Sequence, residues 1–199
     1  MPLTPPTVLI LASGRGERFK ESGGAVHKLQ SLLAGKPVLQ HTLDAVRASG
    51  LPWHVEDAGH PGMGDSIAAA VRATSHEAGW LVLPGDLPLV RPDTLQMLAQ
   101  AVAKRAVTVP FFHGERGHPV GFAAQCLPDL LALSGEQGAA SVVRKFAQQG
   151  QVQTLAVEDE GTVTDIDEVE VADTLNKQHQ STLLLNAGET VLLASNGEN

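Results

Sequence analysis

The chain has 199 residues, with 14 basic and 22 acidic side chains for a net charge of −8, and with 43% apolar and 18% charged residues. That suffices for one domain with a real core and excludes a membrane span, because no apolar run approaches the roughly 18 residues a bilayer requires. The negative balance repels nucleic-acid backbones, so an anionic ligand has to be small and met by local cations or a metal.

The opening MPLTPP has no basic stretch leading into an apolar run, so no export signal is expected. Cys126 is the single cysteine. An internal disulfide and a thiolate metal cluster are thereby excluded, and a reducing cytoplasm is the expected location. The surroundings of Cys126, GFAAQCLP, are apolar rather than electropositive, a poor setting for a reactive thiol.

TVLILA at 7–12 and WLVLPG at 80–85 are short, almost wholly apolar runs, the pattern of strands covered on both faces. Between them KPVLQHTLDAVRASG carries Leu39, Leu43 and Val46 at helical spacing, with Pro37 near its first turn and Gly50 past its end. PWHVED predicts a brief strand. GDSIAAAVRAT predicts a helix with Ile67, Ala70, Val71 and Thr74 on one stripe, and Gly62 and Gly64 just before its start. RPDTLQMLAQAVAKR repeats the helical pattern through Leu95, Leu98, Ala99 and Val102. AVTVPF and VGFAAQ predict strands, AASVVRKFAQQG a helix closed by Gly150, and VQTLAVED a further strand. TLLLNAGETVLLAS near the end contains a turn signal and predicts a terminal hairpin over 181–195. Alternation from one end to the other, with no linker, predicts a single three-layer α/β domain over 1–199 with a mainly parallel sheet.

Ligands of such sheets bind at the carboxyl ends of the strands. The loop from Ser13 to Lys28 leaves the first strand there, with Gly14 and Gly16 letting backbone N–H groups approach an anion and Arg15, Arg18, Lys20 and Lys28 as countercharge. It is neither of two well-known phosphate loops. Gly35-Lys36 is followed by proline, against a P-loop, and Phe19 stands where the third glycine of a dinucleotide fingerprint belongs. The bland alternative is a solvated surface loop.

Asp86 in LPGDLPLV follows a buried strand directly, and its carboxylate suits one ligand of a magnesium ion, or else a turn or helix cap. Asp165 and Asp167 in TDIDE would share one face were the segment a strand, and their repulsion would favour a cation. GMGDS at 62–66 places two glycines before a helix whose amino end offers N–H groups to a base edge or a phosphate, or else is capped by Asp65 or Ser66. In GHPVGF, His118 stands before a strand as a ligand donor or a local backbone partner. Zinc lacks support, because the histidines show no helical i,i+4 pair and no cysteine partner. No G-x-S-x-G elbow marks a serine hydrolase.

LASGRGERF, GMGDSIAAAV, PGDLPLV, GHPVGF and TDID, in this order over about residues 7–167, resemble the molybdenum cofactor nucleotidyltransferase family, and within it the molybdopterin cytidylyltransferases. The resemblance implies a Rossmann-like fold of the nucleotide-diphospho-sugar transferase type and transfer of CMP from CTP to molybdopterin with release of pyrophosphate. It implies that Ala12, Ser13, Gly14 and Gly16 hold the nucleotide and that Arg18 and Lys28 neutralise the triphosphate. Gly62, Met63, Gly64 and Ser66 would border base and ribose, and Gly117, His118 and Pro119 would lie on the pterin side. Asp86, with Asp165 or Asp167, would hold Mg2+. A transient contact with a molybdoenzyme or its chaperone, and none with nucleic acid or membrane, would follow.

The chain departs from the family pattern in four places. Ser13 replaces an alanine, and ESGGAV lengthens the loop so that Lys20 rivals Lys28. DIDEVEV stands where the family continues Thr-Pro-Glu-Asp. The stretch from Gly50 to Gly62 is short by a strand and a helix, which predicts a narrower sheet or a stub strand, its edge covered by the terminal hairpin. Two further readings stay open: nucleotidyl transfer to another phosphorylated acceptor such as a sugar phosphate, and a non-catalytic nucleotide or cofactor carrier.

Overall fold

The computed structural model describes residues 4–13 and 28–166. β1 (Thr7–Leu11), β4 (Trp53–Glu56), β5 (Gly79–Pro84), β6 (Val107–Phe112), β7 (Glu115–Arg116), β8 (Val120–Ala123) and β9 (Val152–Ala156) form one sheet in the order β4-β1-β5-β8-β6-β7, with β9 also on β6. β1 pairs parallel with β4 and β5, and β6 parallel with β9. β8 lies antiparallel to both β5 and β6, so five strands share one direction and only β7 and β8 oppose it. A separate hairpin, β2 (Leu32–Leu33) with β3 (Lys36–Pro37), turns through Ala34 and Gly35, both at positive φ, and this is where the Gly-Lys pair sits.

The near-continuous apolar runs follow from helices on both faces. α1 (Val38–Ser49) and α3 (Pro92–Val102) lay Val46, Leu95, Leu98 and Val102 on Val8, Ile10, Leu81 and Leu83. On the other face α2 (Met63–Ala73), α4 (Leu127–Leu131) and α5 (Ala140–Gln148) bring Ile67, Val71, Leu130, Val142 and Phe146 against Leu9, Trp80, Val82 and Phe122. Alternate residues of β1 and β5 thus enter opposite cores, which is the three-layer Rossmann-like arrangement. Helix ends follow the sequence signals. Gly50 closes α1 in the left-handed conformation, its N–H donating to Arg47 O at 3.1 Å. Trp80 is fully buried, its indole N–H donating to Thr74 Oγ1 at 3.0 Å.

The structure decides several points left open above. Of the two outcomes for the short stretch after Gly50, the stub strand is found: β4 has four residues and pairs directly with β1. Trp53 on it is exposed, with the Arg47 guanidinium 5.5 Å from its ring centroid. Residues 163–166 are not a strand; they follow a 3-10 turn, Glu160–Thr162, so the alternation argument for Asp165 does not apply. The hairpin predicted over 181–195 lies outside the described residues. No helix among the described residues is long and apolar enough to cross a membrane.

Gly121 lies in β8 where a Cβ would come within 2.3 Å of Val102 Cγ2. Val102 is branched at Cβ and buried against the sheet, so it has little room to yield. Gly121→Ala is expected to lower stability by about 1–3 kcal/mol, read as a shifted urea midpoint with an unchanged slope.

Candidate functional site

At the carboxyl edge of the parallel strands the chain leaves β1 and β5 side by side. Gly85 N–H donates to Leu11 O at 3.0 Å, and Thr42 Oγ1, fully buried on α1, donates to Gly85 O at 3.0 Å. A glycine fits this neck best, because a Cβ would stand a tight 3.0 Å from Leu11 O and 3.1 Å from Leu39 Cδ1. Asp86 is the next residue. Its carboxylate forms an ion pair with Lys28, the two side chains only 11% and 18% exposed. The far end of the first loop is thereby tied to the end of β5, joining two of the residues singled out from the sequence.

Two more predicted residues meet across the edge. Ser13 Oγ lies 2.6 Å from Ser66 Oγ. Ser66 spends its own proton on Gly62 O at 3.1 Å, so Ser13 donates and Ser66 accepts. Ala12 is anchored by its N–H on Glu56 O at 2.8 Å.

His118 stands beside the same edge, after the loop that follows β7. Its backbone N–H donates to Thr162 O at 2.8 Å, and its ring bonds the backbone at Val82. The residue is exposed to solvent by surface area, yet enough protein surrounds it to disfavour the charged ring. That desolvation holds the imidazole below its usual pKa, and Arg116 adds to it, against the pull of the Asp86 carboxylate. Gly117 is buried, and a Cβ there would meet Thr162 at 2.8 Å; Pro119 is buried behind a cis peptide bond. Asp165 is brought to Asp86 by its neighbour, whose Ile166 N–H donates to Asp86 O at 3.1 Å. Gly14, Gly16, Arg18, Lys20 and Asp167 lie outside the described residues.

The helix begins earlier than GMGDS predicts: Gly62 caps α2 and Gly64 is already inside its first turn. Gly64 N–H donates to Gly135 O at 2.7 Å, and Asp65 Oδ2 accepts from Gly135 N at 2.9 Å. A Cβ at Gly62 would meet Gly135 at 2.3 Å, and one at Gly64 would meet Ser134 at 2.8 Å. These glycines admit a crossing backbone, and no side-chain cap is formed by Asp65 or Ser66. Met63 is exposed beside them.

Two residues here escaped the sequence reading. Glu56 ends β4 and is 8% exposed; its carboxylate accepts from Ala58 N at 3.2 Å and pairs with His60 Nε2 at 3.0 Å. Asp159 is buried and accepts from Arg91 N and Gly161 N, each at 3.0 Å. An acid ending a predicted strand was the available signal for Glu56; Asp159 gave none.

Among the described residues no three His, Cys, Asp or Glu side chains gather into a metal cage. Asp86 and Asp165 lie on segments joined by the Ile166 N–H to Asp86 O hydrogen bond, and carboxylates are the ligand type a hard cation such as Mg2+ would take while completing its shell with phosphate and water. A cavity of about 1300 Å³ opens at the opposite, amino edge, lined by Pro5, Ser49, Gln96, Lys104, Arg105 and Gln151 among others. Its buried hydroxyl, Ser49 Oγ, is spent on Val46 O at 2.6 Å, and none of the candidate residues reaches it. The candidate residues among those described gather instead at the carboxyl edge.

Gly64→Ala is expected to lower the melting temperature of the ligand-free protein, by the several degrees that correspond to about 1–3 kcal/mol, because the clash is with protein. A variant that loses nucleotide binding with an unchanged melt would contradict this. Burial drives the Cys126 thiol pKa up to about 12, with the Asp129 charge adding to the shift. Alkylation by iodoacetamide at pH 8 is expected only once denaturant opens the core.

Comparison with known proteins agrees with this fold. Residues 44–152, more than half of the chain, match the MobA-like NTP transferase domain. The bifunctional protein GlmU of Xylella fastidiosa is 33% identical over 147 residues, 61% of this chain, which spans 30% of that protein's length. A nucleotidyl transferase from Methanothermobacter superimposes with a TM-score of 0.72 at 19% identity, over 89% of this chain and 99% of that one. Molybdopterin-guanine dinucleotide biosynthesis protein A from Archaeoglobus fulgidus does so with a TM-score of 0.61 at 16% identity, over 88% and 99%. The matched span begins within α1, after the loop that carries Lys28, and contains the α2 glycines, the neck at Gly85, Asp86 and the His118 turn, so the chain belongs to the MobA-like NTP transferase family.

Proposed function

We propose that this protein transfers CMP from CTP to molybdopterin in the presence of Mg2+, releasing pyrophosphate. The observation that carries the reading is the Lys28–Asp86 ion pair at the carboxyl edge, with Asp165 on the segment whose backbone bonds Asp86 O. An ammonium and a carboxylate at one rim, with a second acid on the adjoining segment, match what a metal-bound triphosphate demands, one group for the phosphoryl oxygens and the others for its cation. The order of motifs supports cytidylyl transfer, and the fold shared with a molybdopterin-guanine dinucleotide protein supports a pterin acceptor.

In this reading the terminal phosphate of the pterin attacks the α-phosphorus of CTP. The bond to the bridging oxygen breaks, and pyrophosphate leaves with the electron pair. A phosphate monoester is mostly dianionic near neutrality, its second pKa being about 6, so the attacking oxygen needs no protein base. Lys28 supplies positive charge to the phosphates as charge builds on the leaving group, with Arg18 assigned the same work from the sequence. Asp86 orients Lys28. Ser13 and Ala12, fixed to Ser66 and Glu56, shape the loop beside the nucleotide, and His118, Gly117 and Pro119 border the acceptor. Asp86 and Asp165 would hold Mg2+, which when bound neutralises phosphate charge as a Lewis acid. A carboxylate as buried as Asp86 is costly unpaired, and Lys28 supplies its cation in the ligand-free protein.

The test is pyrophosphate release across CTP, GTP, ATP and UTP with molybdopterin and a panel of sugar phosphates, with and without Mg2+. Release from CTP and molybdopterin only with Mg2+ is expected, and Asp86→Asn should cut kcat by about 100-fold or more while the far-UV circular dichroism is retained. Preference for GTP or for a sugar phosphate would replace the substrate assignment, and no release from any pair would leave a carrier.

A further inference from the structure

Residues 157–166 run from the end of β9 across two of the loops at the candidate site, the one after β5 and the one before β8, and one buried carboxylate pins them. Asp159 is 3% exposed. Its Oδ2 accepts from Arg91 N, at the start of α3, and its Oδ1 from Gly161 N, so its charge is met by two backbone amides. The fit is close: a Cβ on Gly161 would lie 2.1 Å from Leu89 O. Arg91 itself turns its guanidinium to Asp93 and to Glu158 O, which adds a second tie between the same two segments.

From that pin the segment reaches the site twice. Thr162, held by its N–H and its hydroxyl on Asp159 O, offers its carbonyl to His118 N at 2.8 Å and packs on Gly117. Ile166 N–H then bonds Asp86 O, which sets Asp165 beside Asp86.

We infer that Asp159 is a positioning residue, which through residues 160–166 fixes both the placement of Asp165 next to Asp86 and the placement of His118 at the edge. The consequence for turnover rests on the nucleotidyl-transfer reading above; the structural consequence does not. Loss of the pin should leave β1, β5, the Gly85 neck and the Ser13–Ser66 contact in place while residues 160–166 and the acceptor-side turn shift together, because the remaining tie to the start of α3 is the exposed Arg91 guanidinium on Glu158 O, which holds the segment ahead of residues 160–166 and leaves them without their buried anchor.

Asp159→Asn and Asp159→Ala test this. The first keeps the shape but replaces one acceptor with an amide that cannot accept from a backbone N–H; the second removes both acceptors. In the ligand-free protein the Cε1–H cross-peak of the His118 ring, identified by its loss in His118→Gln, should move in both variants. That of His41, bound to Leu33 O on the remote hairpin, should stay. In the pyrophosphate assay the Mg2+ concentration for half-maximal rate should rise about tenfold or more, with the KM for CTP changed by less than about twofold. Gly121→Ala, which destabilises through the core, should move neither readout. A His118 cross-peak that stays in Asp159→Asn overturns the inference, as does an unchanged Mg2+ requirement in an active enzyme. Should the wild type release no pyrophosphate, the catalytic reading fails and the cross-peaks alone decide where Asp159 acts.

Discussion

β1 and β5 are neighbours in the sheet, and at their carboxyl ends the hydrogen bond from Gly85 N–H to Leu11 O keeps the two exits together. The rest of the site follows from that neck. With no side chain on Gly85, and with Thr42 holding its carbonyl from the helix behind, Asp86 emerges within reach of the loop that started at β1. A wider neck would place Asp86 where Lys28 could not meet it. The ion pair is therefore less a source of stability than a reporter of how close the two strand ends lie, since pairs of this kind repay little more than their desolvation.

The segment after β9 supplies what the parallel strands cannot. Parallel strands deliver their loops to one edge, but each loop is free to lean in any direction; a crossing segment that bonds several of them removes that freedom. Here residues 157–166 touch the starts of the loops after β5 and before β8 and are themselves fixed by backbone amides. Amide bonds suit this purpose better than a lysine or arginine partner, because the donors belong to rigid backbone and carry little side-chain entropy.

Glycine has a common meaning across the molecule. Gly62, Gly64, Gly117 and Gly161 stand where another strand of chain passes at a distance no Cβ tolerates. Motif glycines are easily taken as openings for a phosphate, and at α2 they also make room for the 134–136 turn, which takes the N–H of Gly64. The glycines still serve the site, by letting α2 sit close enough for Ser66 to receive Ser13.

The amino-acid sequence by itself determined the class of fold and the identities at the edge. Fully apolar runs require cover on two faces, helical stripes supply it, and a loop that gathers cations after one buried strand and an acid after the next marks the edge where ligands bind. Five motifs in order then carried the family, because chemistry-bearing residues must sit at the same strand ends for the same reaction. Tertiary structure alone decided the insertion of β8 against the direction of its neighbours, the pairing of Lys28 with Asp86, the docking of the 134–136 turn on α2 and the hydrogen bonds of Asp159. Each depends on which distant backbone passes near, and local periodicity, which reports only whether a side chain faces core or solvent, holds no record of that.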